Sequence, residues 1–580
     1  MPDTYEKLFG GSGVLDHVTA NLKFYTTWDL GGASVLDHLG LSVWSFKTSS
    51  NATHSLSRGL SKRQMKMSAL TAALGNGMFI ATGIVLAEGG PGNLLTSYAF
   101  SAMSVFLVLL PLCEMAITFR DAGGIYQYAH RFIHPVCAMT LALTGVVSWL
   151  FAVPLAMTIA VETMRFVFPG SSVILISTCI LIVTLLQLPG VKAYGELDYV
   201  IGWLKISAVF GVFVLGIVIA RGGADPATGI DNPVAWKLAF WHLEGGPFVG
   251  GFVGFASAMS TAIFAFTGTE LVGLKAAEAK DPSNTIIASA KQSVWRVVFV
   301  FAILVAMPTF LVSAQDPGLF PGGASPSCHA MPPLALAFYV RWPQFDKYLM
   351  VVFTVCAISS ASLAVYSCSR TFLKWAQNFN MQAFARVDNI GRPIWCVLLS
   401  LLLLQLSWVS VLRGGSSNYL WDWYATVATS HGLFCWMSIA VAHLRFRRAW
   451  KWQDQRISSL FYVTPWRWTG PVASVLIICL ACFGCCSQTY ATIAHSASTG
   501  NVMHALTPWL YLLVCYLVAV AWWKYCEYSG KEVQYYSELR WYYHAYELDI
   551  QHNRQFHSPQ ECKDFSTYRA SRTLFQKLFD

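Results

Sequence analysis

A chain of 580 residues, 55% hydrophobic and only 12% charged, cannot cover a soluble globule with ordinary polar surface, so composition alone makes it a multi-span membrane protein. The formal charge of +9 is accounted for by basic loops facing anionic lipid, and no nucleic-acid partner is expected.

In chain order, the N-terminal tail, residues 1–65, mixes Gly, Ser and Asp with isolated aromatics and lacks the apolar core of a signal peptide. It is expected to be a mostly disordered cytosolic segment. Apolar runs of about 20 residues, the length that crosses a bilayer, then fall near 66–88, 94–118, 136–165, 171–189, 201–220, 250–274, 294–314, 346–375, 393–412, 418–444, 470–492 and 505–528. They predict twelve helices in a permease domain over 66–528. The runs at 136–165 and 346–375 are long enough to tilt or to project beyond the bilayer. The C-terminal tail, 529–580, interleaves aromatics and charges in "YYSELRWYYHAYELDI", which suits a short amphipathic helix on the inner surface.

Orientation follows the bias of Lys and Arg in short loops. With both termini inside, the five inner loops hold seventeen of the 39 basic residues and the outer loops six. Most of the rest lie in the tails, and Lys205 is the one placed deep in a span. The sequon at Asn51 falls in the inner tail, where glycosylation is not expected.

The cysteine cluster Cys479, Cys482, Cys485 and Cys486 contains a C-x-x-C spacing, but it sits mid-span without a paired His, so packing is the expected role and no metal is. Walker A, H-E-x-x-H and nucleophile-elbow patterns are absent, and neither an enzyme nor a cofactor is expected.

Two spans carry interruptions. In "SALTAALGNGMFIATGIVLAEGGPG" glycines stand at 75, 77 and 83, and in "IFAFTGTELVGL", Ile263 to Leu274, the sequence Thr267-Gly268-Thr269-Glu270 breaks the sixth span. An unpaired peptide group in lipid costs several kcal/mol, so the freed groups need partners. Corresponding breaks in two halves of a chain mark a transport site between inverted repeats. Close helix packing accounts for Gly75 and Gly83 alone, but not for an acidic residue beside a second break.

At these residues the chain resembles the fungal amino acid permeases of the amino acid, polyamine and organocation superfamily. "ALGNGMFIATG" is similar to their G-T-G-L-F-x-G-S-G segment, and "FTGTELVGLKAAEAKDP" to F-S-G-T-E-L-V-G-x-x-A-x-E-A-x-x-P. "CEMA" at 113–116, "GGIYQYAHRFIHP" at 123–135, "GVKAYGELDYVIGWLKI" at 190–206, "YSCSRTFL" at 366–373, "GRPI" at 391–394 and "HGLFCWMSIAVAHLRFRRAW" at 431–450 follow in register. The resemblance spans residue 62 to about residue 525.

It implies an all-α fold like that of the bacterial leucine transporter: spans 1–5 and 6–10 as inverted repeats with helices 1 and 6 broken, and two peripheral helices. The implied substrate is an amino acid. Amides of Asn76, Gly77 and Met78 at a positive helix end would hold its carboxylate, and carbonyls of Ala73, Phe264 and Thr267 its ammonium, with Gly268 keeping the break open. Phe264 and Phe266 read as pocket wall and gate, or as lipid-facing filler. By the "LKI" register Lys205 matches the fifth-span lysine of proton-coupled relatives, where an ammonium replaces a sodium ion bracing the first and eighth spans; the alternative is a snorkelling lysine. Glu270 reads as gate or proton relay, or as a cap on the broken helix. Glu114 and Glu278 read as structural or inner-gate charges.

Departures from the pattern include Ala156 after Pro154, where many members carry glutamate, and "SSASLAVY" in the eighth span, which puts Ser362 and Ala364 where relatives read A-G-N-S-D-x-Y. They point to a less polar side-chain pocket or to lost transport. His431 stands where serine is common; it reads as a substrate contact, a titrating group, or a hydrogen bond to a neighbouring helix. Two functions remain open at this level. One is proton-coupled uptake of amino acids at the plasma membrane, with trafficking or ubiquitination machinery acting on the tails; the other is a transporter-like sensor signalling through them.

Overall fold

A computed structural model describes residues 60–71, 79, 81–119, 124–168, 170–188, 191–220, 241, 246–268, 271, 301–316, 319, 332–339, 345–378, 382–388, 392–408, 417–453, 468–499, 502–529 and 548. The architecture among them is helical: α1 (Lys62–Thr71), α2 (Ala81–Thr118), α3 (Ile125–Phe132), α4 (Pro135–Val167), α5 (Ser172–Gln187), α6 (Val191–Ala220), α7 (Gly251–Phe266), α8 (Phe345–Asn378), α9 (Ile394–Leu404), α10 (Ser417–Trp452), α11 (Thr469–Thr499) and α12 (Val502–Ser529). A short π-helical segment, Phe301–Ala306, and a turn at Pro308–Leu311 stand within the expected seventh span.

Local chemistry sets several boundaries. α4 starts where Pro135 supplies a helix-ready φ and His134 caps it, its Nδ1 accepting from the Val136 amide at 3.1 Å. α2 joins the end of the first expected span to the whole of the second, which the sequence reading kept apart. The join is a hinge at Gly90 (φ 75°, ψ 174°) followed by Pro91, where one residue without a Cβ and one without an amide replace a loop. The hinge is stitched to the segment before α7: Gly92 N donates to Pro247 O at 2.8 Å, Val249 N to Gly89 O at 3.0 Å, and Asn93 Nδ2 to Val249 O at 3.0 Å.

Among the described residues seven helices are long and apolar enough to cross a membrane, and α5, α7 and α9 are shorter apolar helices. Residues 72–78 and 294–300 lie outside the described set, so the full count of twelve is not read from the structure. Burial sorts the long helices: 78% of the apolar window of α10 is covered by protein, against 22% of that of α12. The faces left open are apolar, including Leu181 and Leu185 on α5, Val200 and Phe210 on α6, Val475 on α11 and Leu513 and Val514 on α12. A surface of this kind is stable against lipid and not against water. α2, α4, α8 and α10 form the interior, and α4 and α8 run along one another, joined where the Thr163 and Thr354 hydroxyls meet at 2.9 Å.

Candidate substrate and coupling site

The second predicted break is present. α7 stops at Phe266; Thr267 turns extended (φ −60°, ψ 149°) and Gly268 takes φ 94°, a conformation that favours glycine. The Thr267 amide donates to the carbonyls of Ile263 and Phe264, each at 3.1 Å, and its hydroxyl donates to Phe264 O at 2.7 Å. The Phe264 carbonyl, expected to stand open for an ammonium, is therefore engaged by Thr267 in this conformation. Both phenylalanines are buried in protein: Phe266 is fully covered, with its ring 6.0 Å from that of Tyr98 on α2, and Phe264 is 6% exposed. They are not lipid-facing. α10 presses on the break at Gly432, where a Cβ would lie 2.5 Å from Thr267 Cγ2. The first break and its residues Ala73, Asn76, Gly77 and Met78 fall outside the described residues, as do Glu270 and Glu278.

Beside Gly432, His431 is buried with Nδ1 3.1 Å from Thr144 Oγ1 on α4. Of its three readings, the hydrogen bond between helices is the one the structure contains. Gly145 lets the ring close in, since a Cβ there would meet Tyr126 Oη at 2.9 Å and His431 Cε1 at 3.2 Å. Tyr126, from α3, accepts from Thr371 Oγ1 of α8 at 3.4 Å. Tyr126 and Thr371 line a cavity together with His130, Met139, Lys374 and Trp522, away from the break itself.

Lys205 is 2% exposed, and its Nζ donates to Ser359 Oγ on α8 at 3.1 Å. The ammonium is thus enclosed in protein. It ties α6 to α8, and Phe79 of the first expected span also meets α8, its ring 5.0 Å from Phe353. One turn along α8, Ser362 is gripped by Gln187 of α5, whose Nε2 lies 2.7 Å from both its carbonyl and its hydroxyl. Ser362, which read as lost polarity in the eighth span, is thus the partner of Gln187, and Ser359, which was not singled out, is the partner of Lys205. Ala156 and Ala364 are buried apolar packing.

Glu114 is completely buried and held by Arg447 of α10, Nε to Oε1 at 2.5 Å and Nη2 to Oε2 at 2.7 Å. The sequence reading missed Arg447 and its neighbour His443. The available signal was their i, i+4 spacing, which puts both on one helix face.

The family model for amino acid permeases matches residues 64–535. The chain belongs to the amino acid permease family. The amino-acid permease GAP5 of Candida albicans is 32% identical over 73% of this chain and 68% of its own length. The histidine permease of Saccharomyces cerevisiae is 29% identical over 80% of this chain and 76% of its own length. Among solved structures, a Na+-coupled sialic acid symporter in a substrate-bound outward-open state aligns with a TM-score of 0.42 at 14% identity, over 73% of this chain and 89% of that one. This permease is an integral membrane protein, and its relatives are transporters rather than enzymes.

Proposed function

We propose that this permease takes up amino acids across the plasma membrane by proton symport and alternating access, with its termini in the cytosol. Membership of the family supports amino acid transport; the position of Lys205 supports the coupling. Its ammonium is enclosed in protein and donates to the Ser359 hydroxyl across α6 and α8, at the position where the family resemblance puts the ammonium of proton-coupled relatives. The zwitterion binds between the two breaks. Backbone amides of the first, at Asn76, Gly77 and Met78, take the carboxylate, and carbonyls at Ala73 and Thr267 take the ammonium. Phe264 and Phe266 wall the pocket, Glu270 and Glu278 serve as gate charges, and no cofactor other than the coupling proton takes part. Among the described residues nothing favours a sensor.

The test is uptake of a panel of labelled amino acids, at two pH values, by cells lacking their own permeases. Accumulation that rises with the inward proton gradient supports the reading; failure to accumulate any amino acid, with the protein at the surface, ends it.

A further inference from the structure

The short helix α1 lies on the first turns of α6. Ser61 and Gln64 start it with a reciprocal cap: the Ser61 amide donates to Gln64 Oε1 at 2.8 Å and the Gln64 amide to Ser61 Oγ at 3.5 Å. Gln64 also reaches α6, its Nε2 donating to Lys192 O at 3.3 Å. Arg63 pairs with Glu196 and sets its guanidinium carbon 5.5 Å from the centre of the Tyr199 ring. Leu60 and Met65 are buried with Val191 in an apolar cluster of their own, outside the main core. Gly195 permits the approach, since a Cβ there would lie 2.8 Å from Leu60 Cδ2 and 3.0 Å from Gln64 Cδ. Positions 191, 195 and 199, with 192 and 196, follow i, i+4 spacing, so one stripe of α6 carries α1.

α6 itself is thinly attached to the rest of the protein. Only 33% of its apolar window is covered, against 67% for that of α8. Two ties join it to α8. One is the bond from Lys205 to Ser359. The other is a stack of rings, Tyr194 on Tyr366, with centres 4.8 Å apart and planes 9° apart; Arg370, one turn further along α8, lies over the Tyr366 ring at 3.8 Å. Parting α1 from α6 would expose the Leu60, Met65 and Val191 cluster and take the acceptor from a buried amide. Parting α6 from α8 at these ties breaks one hydrogen bond and slides one ring off another. The joint with α8 is therefore the one that gives.

We propose that α1 and α6 move as one body, a lever through which the first break acts on the tie between Lys205 and Ser359. The chain runs from α1 directly into residues 72–78, where the first break is expected, so a change of angle there swings α1, and α6 follows. The Tyr194–Tyr366 stack is the joint that opens. Lys205 is drawn off Ser359 or pressed onto it without touching the substrate. The lever deepens the transport reading and rests on it, and it gives Arg63, Gln64 and Gly195 a part in coupling.

The test locks the lever. Leu60→Cys with Gly195→Cys sets a thiol on each side of the closest approach, within disulfide reach, and the lost leucine makes room for the new Cβ. Uptake of labelled amino acids into proteoliposomes is measured before oxidation, after it and after reduction, with disulfide yield read by mass spectrometry and the wild type taken through the same steps. The disulfide should leave the rate within about twofold, because the two helices never separate. Loss of uptake on oxidation that reduction restores overturns the proposal. A reduced protein and a wild type that take up nothing end the transport reading, and the lever falls with it. Should the cysteine pair fail to fold, Arg63→Cys with Glu196→Cys, both at exposed positions, is joined by a short thiol-reactive linker and read in the same way. Pinning the other joint, Tyr194→Cys to Tyr366→Cys through such a linker, should stop the uptake that the unlinked variant shows; uptake indifferent to that linker overturns the proposal as well.

Discussion

Lys205 and Ser359 make a pair whose energetics can be read from each side. The ammonium is enclosed and its assigned bond is to one hydroxyl, so Ser359→Ala removes a hydrogen bond to a charged group, worth about 1.5–3 kcal/mol. Uptake should fall roughly tenfold or more while surface abundance is kept. Lys205→Ala should leave the protein at the surface and abolish accumulation against a gradient. Lys205→Arg keeps the charge but replaces a compact ammonium with a larger planar guanidinium in an enclosed site, so it should not restore accumulation. Accumulation by the Ala variant would reduce Lys205 to a structural tie. A second residue-scale prediction concerns the break. Gly432→Ala places a methyl 2.5 Å from Thr267 Cγ2, an overpacking cost of about 1–3 kcal/mol at the turn that shapes the pocket. It should raise the KM for uptake. Thr267→Ser deletes the clashing methyl and keeps the hydroxyl that bonds Phe264 O, so the double variant should recover; a double variant as impaired as Gly432→Ala would mean the strain lies elsewhere.

At the scale of elements, the stitching of the Gly90 hinge to residues 247–249 depends on missing side chains. A Cβ at Gly254 would sit 2.1 Å from Val249 O, and one at Gly92 would sit 2.8 Å from Pro247 O. Both obstacles are backbone, which cannot swing aside as a flexible side chain can. Gly254→Ala should therefore lower the unfolding temperature of the purified protein, by about 1–3 kcal/mol of stability, and more than Gly211→Ala, whose Cβ would find only the Phe345 ring at 3.8 Å. The helices themselves were legible in the sequence because a bilayer demands about 20 apolar residues in a row, and the second break because Thr-Gly-Thr-Glu interrupts such a run. Helix ends were not legible in the same way. α10 continues to Trp452 and α8 to Asn378, beyond the apolar run, because a helix can carry charged residues past the hydrocarbon. Arg447 was accordingly read as loop charge, and its bond to Glu114 was missed. Ser362 was misjudged, and Ser359 passed over, for a related reason. A sequence shows that a polar group is small, but not that a lysine or a glutamine from another helix has been placed against it.

For the whole molecule, the decisive question is which gradient drives it, and the proposed proton symport makes a definite prediction. The enclosed cation of Lys205 already ties α6 to α8, where the family resemblance puts an ammonium in place of a sodium ion. A second cation bound at the same brace would be repelled. Uptake should therefore be unchanged when external sodium is replaced by choline. On the proposed proton symport, it should collapse when a protonophore dissipates the proton gradient. The two manipulations separate cleanly in membrane vesicles with imposed gradients: an inward proton gradient alone should drive a transient overshoot of the substrate, and an inward sodium gradient alone should not. An overshoot driven by sodium would place a cation site in the fold and leave Lys205 no part in coupling.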